Sequence, residues 1–471
     1  MPKPHDLPNI LYIHSHDTGR YIAPYGHAVS TPYLQAFAER GTVFRRAFCA
    51  NPTCSPSRAC LLTGQYAHTN GMMGLAHRGA GLHHPQQTLP AWLATQGYRT
   101  VLAGFQHITG HGAAATARVG YQDDLTAGHP PLVGNADGYD RAVVNAARHF
   151  LNQTGVAEGA GHSRTPFFLD VGFFTTHRTP TQPGQEQWHN DGDSPAGDPR
   201  YVTLPPCLPD GPATRADYAD FLHAATRLDG YIGSVLDALD RAGLCDNTLV
   251  IITTDHGIAF PLMKGCLTAH GTGVLLMTSG PGFGSDGGGG RVVDSLVSQV
   301  DLFPTLCDVL GCEAPDWLEG ESFRRVYYGD DGPRDAVYAE MNYHAAYDPM
   351  RSVRTDAYSY VRRLDPADHP VLANIDDSAT KTALHASRVL AGPCPAEQLF
   401  DLKKDPTEAA NVINLPEYAS IAQQMRRRLD VWMKETMDPA RSGKLRVSGM
   451  VVNERHAYSP NSPSAVETEP G

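Results

Sequence analysis

Short apolar runs alternate with helix-like segments along residues 9–311 of this 471-residue chain. The apolar runs have the length and composition of buried strands. They lie at residues 9–14, 99–103, 166–172, 248–253 and 273–278. The helical patterns lie at residues 32–40, 215–242 and 298–311. Strands that alternate with helices predict an α/β fold in which a large, mostly parallel sheet is sandwiched between helices.

The pattern changes near residue 330, where the sequence indicates a second unit. Runs at residues 336–341, 350–355 and 358–363 are typical of antiparallel strands, and residues 416–437 of an amphipathic helix. We therefore expect a large domain at residues 1–330 and a smaller C-terminal α+β domain at residues 331–440. Residues 441–471 are rich in Ser, Pro and Glu, which is typical of a flexible tail, with an arm packed elsewhere as the alternative.

The composition is that of a soluble globular protein, with 41% hydrophobic and 19% charged residues. The net charge is −12 and no basic run is present, so the surface repels polyanions. No apolar run is long enough to span a bilayer, and the first residues lack a signal-peptide pattern. The nine cysteines are odd in number and lack paired spacing, so no disulfide framework is expected. We therefore expect a cytoplasmic protein with no membrane and no nucleic-acid partner.

The most informative cysteine of the chain is Cys54, which opens the run Cys-Ser-Pro-Ser-Arg at residues 54–58. Pro56 and its small neighbours predict a helix that starts near Ser57, with Cys54 at its N-terminus. Unpaired backbone N–H groups and the helix dipole favour negative charge there, and Arg58 adds a fixed cation. Such a pocket suits a reactive cysteine or an anionic substrate. A buried structural cysteine beside a capping serine is the alternative.

This run, together with the Leu-Leu-Thr-Gly at residues 61–64, resembles the signature of the type I sulfatases of the alkaline-phosphatase superfamily. In that family the cysteine is oxidised after translation to formylglycine, whose hydrate is the nucleophile. The resemblance implies that a formylglycine-generating enzyme modifies Cys54 and that residues 1–330 are the catalytic domain. It spans nearly the whole chain, and it looks most like the N-sulfoglucosamine sulfohydrolase (heparan N-sulfatase) branch.

Two predicted strand ends carry a carboxylate beside an imidazole, namely His16-Asp17 and Asp255-His256. Open α/β sheets bind ligands at the carboxyl ends of their strands. By resemblance to the family, Asp17, Asp255 and His256 hold one divalent cation together with residue 54. His16 stands where the family usually has a second aspartate, and we include it among the metal ligands. Hard oxygen ligands favour Ca²⁺ or Mg²⁺, and we expect Ca²⁺, with His16 making the set softer and less negative.

The resemblance also assigns residues to catalysis. Arg58 holds a hydroxyl of the hydrate, and His107, in a Gly-Phe-Gln-His loop, is the candidate base that helps expel sulfate. His177 protonates the leaving group, and Lys264 reaches the bound sulfate. Phe105 stands where the family carries a lysine, so one positive contact is missing.

Other histidines near these motifs are weaker candidates. His14 shares a strand face with His16 but lies deeper in the strand, so it is the less favoured metal ligand. The remaining candidates for the substrate cleft are His68, His77, Arg78 and His270.

The motifs together predict a sulfatase that hydrolyses a sulfate ester or an N-sulfate of a small sulfated carbohydrate. Two alternatives stay open. One is a phosphonate monoester or phosphodiester hydrolase of the same superfamily, which can share the formylglycine and the metal. The other is a non-catalytic binding homologue, which the unusual residues His16 and Phe105 motivate.

Overall fold

The computed structural model describes residues 7–129, 136–159, 165–182, 185–188, 198–283, 290–330, 332–443, 445 and 447–466. Its strands are β1 Asn9–Ser15, β2 Thr42–Phe44, β3 Ala47–Phe48, β4 Arg99–Gly104, β5 Asp123–Asp124, β6 Phe167–Gly172, β7 Arg178–Gln182, β8 Gln185–Trp188, β9 Thr248–Thr254, β10 Leu276–Ser279, β11 Arg291–Val293, β12 Val297–Ser298, β13 Ala336–Tyr343, β14 Tyr347–Thr355, β15 Tyr358–Arg363, β16 Glu397–Asp401, β17 Val451–Asn453 and β18 Ser464–Val466.

The α-helices of these residues are α1 Pro32–Ala38, α2 Cys54–Thr63, α3 Ala67–Asn70, α4 Leu89–Thr95, α5 Ala113–Ala117, α6 Ala136–Gly159, α7 Pro212–Arg241, α8 Ala269–Thr272, α9 Leu302–Leu310, α10 Arg324–Tyr327, α11 Ala379–Ala386 and α12 Ala419–Glu435. Short 3₁₀ helices lie at Ala23–Tyr25, Ala76–Arg78, Pro199–Tyr201, Cys245–Asn247, Gln299–Asp301, Leu372–Asn374, Pro416–Tyr418 and Pro439–Ser442. Within the described ranges, no helix combines the length and the apolar character needed to cross a membrane.

The main sheet has eight strands in the order β11-β2-β10-β9-β1-β6-β4-β5. The four strands β9, β1, β6 and β4 are neighbours and run parallel, while β10 pairs antiparallel with both β9 and β2. This arrangement confirms the predicted α/β fold with a mostly parallel sheet. Because the four neighbours run in one direction, their carboxyl ends meet at one edge of the sheet.

Strand β1 lies in the centre of the sheet, and all seven of its residues are buried. Its side chains alternate between two hydrophobic cores, as the pleat of a strand requires. Tyr12 packs in the core that includes Leu61 of α2, and Leu11 in the core that includes Leu228 of α7. The sheet is therefore covered by helices on both faces, as the sequence predicts.

A second sheet follows residue 330, with the antiparallel order β13-β14-β15-β16. Buried side chains of α12, such as Leu429 and Trp432, pack against Val353 and Tyr360 of this sheet. The predicted α+β character of this region is confirmed. The boundaries proposed for the two domains, 1–330 and 331–440, stay a prediction.

The described residues after 440 correct the prediction of a flexible tail. Strands β17 and β18 pair with each other, Met450 is fully buried, and Arg78 donates a hydrogen bond of 2.6 Å to Asn453. These contacts match the alternative, an arm packed against the rest of the chain. The content of Ser, Pro and Glu suggested a tail, but a few buried side chains suffice to hold the segment. Residues 467–471 of the predicted tail lie outside the described residues.

Candidate active site

Six of the nine predicted site residues follow strands β1, β9, β4 and β6 of the main sheet, while Cys54 and Arg58 lie in α2 and Lys264 in a later loop. His16 and Asp17 come directly after β1, and Asp255 and His256 directly after β9. His107 follows β4 at three residues, and His177 lies between β6 and β7. The backbone of both Asp17 and His107 is left-handed, with φ of 51° and 56°. Such φ values are uncommon for residues other than glycine and cluster at functional sites.

Cys54 is the first residue of α2, which begins three residues before the predicted start near Ser57. Its side chain is buried, with 2% of its surface exposed. Its sulfur lies 3.4 Å from Nε2 of His256. Burial raises the pKa of the Cys54 thiol well above its usual value, and the carboxylates of Asp17 and Asp255 add to this, against the opposing charges of Lys264 and Arg58. Desolvation thus outweighs the helix N-terminus and the cations, which disfavours a reactive thiolate and leaves an anionic substrate as the use of this pocket.

Two overlapping groups of side chains could hold a metal ion. One contains His16, Asp17, Cys54 and His177, and the other Asp17, Cys54, Asp255 and His256. In each group the potential ligand atoms lie within 4.8 Å of one another. The structure thus brings every sequence-predicted metal ligand to one place.

Hydrogen bonding around His256 indicates that a cation fits this place. Its Nδ1 lies 2.9 Å from the carbonyl oxygen of Gly257, which can only accept, so Nδ1 carries the proton. In the neutral ring Nε2 then presents a lone pair, 3.3 Å from Oδ1 of Asp17. Both atoms are electron-rich, and Oδ1 is buried with no hydrogen-bond partner among the described residues. A divalent cation held by both would satisfy this arrangement.

His16 completes the same arrangement. Its Nδ1 lies 3.2 Å from Oδ2 of Asp255, but neither ring nitrogen makes a hydrogen bond of good geometry with the described residues. Burial and the charge of Arg58 lower the pKa of His16 well below its usual value, so the ring is neutral. A neutral, buried imidazole without a hydrogen-bond partner is suited to bind a metal.

Asp255 organises the strand end around it. It accepts hydrogen bonds from the backbone N–H groups of Asp17 and His256, each at 2.9 Å, and from Nη2 of Arg58 at 3.0 Å. Burial alone would raise the pKa of Asp255, but the guanidinium of Arg58 opposes this, and the pKa lies well below its usual range. Asp255 is therefore a permanent carboxylate.

Lys264 lies between two carboxylates. Its Nζ is 3.0 Å from Oδ2 of Asp17 and 2.9 Å from Oδ2 of Asp376. Burial would lower the pKa of Lys264, but these two carboxylates raise it well above its usual value. The sequence analysis found Lys264 and missed Asp376, which lies 112 residues further along the chain without a recognisable motif.

His177 and His107 border the metal-ligand groups. His177 Nδ1 donates to the carbonyl oxygen of Arg178, and its Nε2 lies 3.9 Å from Oδ2 of Asp17. The His107 ring centre lies 5.9 Å from that of His16, and its Nε2 contacts Nδ1 of His77 at 3.1 Å. Burial lowers the pKa of both His177 and His107, so both rings are neutral near pH 7.

Three of the four cleft candidates have other partners. His68 pairs with Glu340 at 2.9 Å, His270 contacts the carbonyl oxygen of Thr407, and Arg78 binds the C-terminal arm. Of these four, only His77 contacts a predicted catalytic residue. The expectation that His68 and His270 line the cleft is not supported by these contacts.

Comparisons with known proteins agree with the motifs and the fold. The family model for sulfatases matches residues 8–312. Human N-sulphoglucosamine sulphohydrolase is 31% identical, over 92% of this chain and 91% of that protein. A solved structure described as a 2-O GAG sulfatase has a TM-score of 0.70 at 22% identity, and covers 99% of this chain and 98% of its own.

The fold by itself does not separate sulfatases from related hydrolases. Phosphonate monoester hydrolase of Agrobacterium radiobacter has a TM-score of 0.65 at 21% identity, covering 91% of this chain and 96% of that chain. At such identities a structural match shows the same fold and no more. The family match spans well over half of this chain, however, and the human relative aligns with nearly all of it. The chain therefore belongs to the sulfatase family.

Proposed function

We propose that this protein hydrolyses a sulfate ester or an N-sulfate of a small sugar at the site described above. The observation that carries the proposal is the meeting of Cys54, two carboxylates, two imidazoles and two cations at the carboxyl ends of neighbouring parallel strands. A sulfate group needs positive charge around its oxygens and a nucleophile beside its sulfur, and this set of residues can supply both.

We propose that one divalent cation binds to the buried donors already described. Its ligands would be His16, Asp17, residue 54, Asp255 and His256. When bound, the cation and a formylglycine hydrate at residue 54 would supply charge neutralisation and the nucleophilic oxygen, respectively. We propose Ca²⁺ ahead of Mg²⁺, because Ca²⁺ tolerates irregular ligand sets better.

The two cations of the site would bind oxygen atoms. Arg58 is 4% exposed, and its Nη2 is held by Asp255 and by the carbonyl oxygen of Ser15. Its place one turn after residue 54 suits a contact with a hydroxyl of that residue. Lys264 keeps its charge between two carboxylates, so it can contact a sulfate oxygen at any physiological pH.

The two histidines would move protons. Because Nδ1 of His177 donates to the Arg178 carbonyl, Nε2 is the atom that can pass a proton to the leaving group. The His177 side chain is 23% exposed, which leaves it accessible from the solvent side. His107 is neutral because burial lowers its pKa, and a neutral imidazole is the form that a base requires.

The likeness to the human enzyme supports a sulfated amino sugar as the first substrate to test. Modification of Cys54 would require a formylglycine-generating enzyme as a transient partner. All nine cysteines are free thiols in the structure, and a reducing compartment maintains this state. We therefore propose that the protein acts in the cytoplasm.

The test combines three measurements on protein produced with a formylglycine-generating enzyme. Peptide mass spectrometry reports whether residue 54 has lost the mass expected for conversion of a thiol to an aldehyde. Metal analysis after dialysis reports the bound cation. Sulfate release is then measured on N-sulfated and O-sulfated sugars, with an aryl phosphodiester in parallel and Cys54→Ala as the inactive control.

The three results separate the alternatives. Conversion, a bound divalent cation and release of sulfate from a sugar are the expected outcome. A strong preference for the phosphodiester would instead identify a phosphodiester or phosphonate hydrolase. An unmodified Cys54 with no metal and no turnover would identify a binding homologue.

A further inference from the structure

A row of buried hydrogen bonds leads from the edge of the main sheet to Arg58. Tyr121, just before β5, donates its hydroxyl proton to Oδ2 of Asp170 in β6. Oδ1 of Asp170 lies 2.8 Å from Nε2 of His14 in β1. Nδ1 of the same imidazole is in direct contact with Nη1 of Arg58. The row crosses three elements and ends on a residue of the proposed site.

Arg58 determines which nitrogen of His14 donates a hydrogen bond and which accepts one. A guanidinium only donates, so Nδ1 of His14 must be the acceptor. The proton of the neutral His14 ring therefore sits on Nε2 and is donated to Asp170. A carboxylate at this position selects that tautomer, since it accepts and cannot donate. If the tautomer were reversed, two N–H groups would face each other at Arg58.

The polar residues of the row occupy core positions. His14, Asp170 and Tyr121 are 3%, 0% and 2% exposed. Apolar side chains would fill the same space without desolvating a carboxylate and an imidazole. The backbone also makes room for the ring, because a Cβ at Gly172 would come within 2.7 Å of Cε1 of His14. Core packing alone does not account for this combination.

The remaining contacts of Arg58 show what the row accomplishes. Nη2 donates to the Ser15 carbonyl at 2.9 Å and to Asp255 at 3.0 Å, which holds one side of the guanidinium. His14 holds Nη1. Nε is buried and has no hydrogen-bond partner within the described residues. The guanidinium is thus fixed at both terminal nitrogens, while one N–H stays available for a ligand oxygen.

We propose that His14 and Asp170 are positioning residues that hold Arg58 in the orientation needed for catalysis. They act through Arg58, since the described contacts of both lead only to it and to the sheet. The inference rests on the proposed function, because its consequence is a catalytic one. It also assigns a role to His14, which is a poor candidate for a metal ligand.

The decisive experiment compares His14→Asn with His14→Gln. Asparagine places an oxygen near the position of Nδ1, so it retains the acceptor for Arg58 and loses the link to Asp170. Glutamine places its amide near the position of Nε2, so it retains the link to Asp170 and loses the acceptor for Arg58. We expect His14→Gln to lower kcat by about 10- to 100-fold with little change in KM, and His14→Asn to retain more of the wild-type kcat. Conversion of residue 54 and Tm are measured for both variants, so that turnover is compared at equal maturation and folding.

A structural role would give a different pattern. If His14 only fills the core, the two variants lose stability alike and kcat follows the folded fraction, and equal kcat values for the two variants overturn the proposal. Should neither His14 variant fold, Asp170→Asn and Asp170→Leu replace them. Asparagine retains an acceptor for Nε2–H of His14 and leucine does not, so the asparagine variant must have the higher kcat.

Failure of the proposed function is distinguishable from failure of this inference. Binding of inorganic sulfate is measured by calorimetry for wild type and both His14 variants, independently of turnover. If the wild type binds sulfate but releases none from any substrate, the proposed function fails. Weaker sulfate binding by His14→Gln than by His14→Asn still supports the positioning role, and equal binding contradicts it.

Discussion

The ring of His16 contacts Asp255 on one side and other rings on the other. Its ring centre is 4.9 Å from that of Phe105, 5.5 Å from Phe174 and 5.2 Å from His177. A carboxylate at this position would be desolvated by these rings and would lie beside the carboxylate of Asp255, whereas a neutral imidazole is tolerated. In the family that the chain resembles, an aspartate stands at the position of His16 and a lysine at the position of Phe105. Because the two rings are in contact, we interpret both departures as one exchange of a charged pair for a neutral pair.

This interpretation predicts energetic coupling between the two positions. His16→Asp alone places a second carboxylate beside Asp255, and Phe105→Lys alone buries an unpaired ammonium. Each single variant should lose about 3–5 kcal/mol of unfolding free energy. The loss of unfolding free energy in the double variant should be smaller, by about 0.5–3 kcal/mol, than the sum of the losses in the two single variants. Urea unfolding of all four proteins in EDTA measures the coupling, and additivity would contradict the interpretation.

The role proposed for His177 predicts a dependence on the leaving group. A sugar sulfate has a poor leaving group that needs a proton, whereas an aryl sulfate with an acidic phenol leaves without one. His177→Gln should therefore lower kcat/KM by about 10²- to 10⁴-fold for the sugar sulfate and much less for the aryl sulfate. Steady-state kinetics on both substrates, at equal conversion of residue 54, measures the ratio. An equal loss on both substrates would show that His177 is not the acid.

The location of the candidate site could be predicted from the sequence, and its surroundings only in part. Cys54 lies in a specific motif, and each Asp-His pair ends a strand, so the topology brings them together. Asp376 could not be found, because it lies in a loop far along the chain and carries no motif. His14 was considered from the sequence, but the role proposed for it depends on Asp170, which forms hydrogen bonds with both His14 and Tyr121. Those contacts follow from the register of the strands in the main sheet, which the sequence does not reveal.

At the scale of elements, fully buried strands were the easiest to predict. The run at residues 248–253 corresponds to β9 Thr248–Thr254, while the run at 273–278 contains only the first part of β10 Leu276–Ser279. Gly273 still belongs to the turn after α8, since its N–H donates to Ala269. Helix α6 Ala136–Gly159 was not predicted, although its buried residues recur at helical spacing. These residues are Tyr139, Val143, Ala147, Phe150 and Leu151.

The polypeptide that follows His177 is held by a buried ion pair between β7 and α7. Arg178 donates to Asp217 through both terminal nitrogens, at 2.8 and 2.9 Å, and its guanidinium lies 4.0 Å from the ring centre of Trp188. Trp188 and Thr380 also donate to Asp217. One carboxylate thus connects β7, β8, α7 and α11.

Removing that carboxylate should destabilise the protein strongly. Asp217→Leu leaves Arg178 buried without a counter-charge, so we expect a loss of about 3–5 kcal/mol in unfolding free energy. The double variant Arg178→Met/Asp217→Leu should lose less, because no charge is left unpaired. The exposed pair of Arg200 and Asp198 is the matched control, and Asp198→Ala should leave the free energy of unfolding nearly unchanged. Urea unfolding measures all of these, and a double variant less stable than Asp217→Leu would contradict the argument.

At the scale of the whole molecule, a buried network of charges joins the second sheet to helix α3. Glu340 of β13 accepts from the backbone N–H and from Nδ1 of His68 in α3, at 3.0 and 2.9 Å. Arg351 of β14 lies 3.4 Å from Glu340 and is bound to Asp438 through two nitrogens. Helix α3 follows directly on the helix that carries Cys54, so this network connects the second sheet to the segment of the site.

The pair of His68 and Glu340 should make stability depend on pH in a predictable direction. Burial would raise the pKa of Glu340, but His68 and Arg351 outweigh it and lower it to about 2. This contribution is present above the unfolded pKa of about 4.3 and is lost as the pH falls towards 2. Burial would lower the pKa of His68, but Glu340 outweighs it and raises the value above 6.5. That contribution is complete below the unfolded pKa of about 6.5 and is lost as the pH rises through the higher folded value.

Glu340→Gln should therefore cost most stability between about pH 5 and pH 6.5 and less at pH 9. Once His68 has lost its proton, only the attraction between Glu340 and Arg351 remains to be lost. The difference between the two proteins should therefore shrink as the pH rises through the folded pKa of His68. The buried neutral histidines of the site are the same in both proteins and cancel in this difference. Urea unfolding of wild type and Glu340→Gln at pH 6 and pH 9 measures this difference in unfolding free energy. His68→Gln is the control, because without the imidazole it should not lose this stability as the pH rises. A difference that stays constant from pH 6 to pH 9 would show that His68 is not protonated in the folded protein.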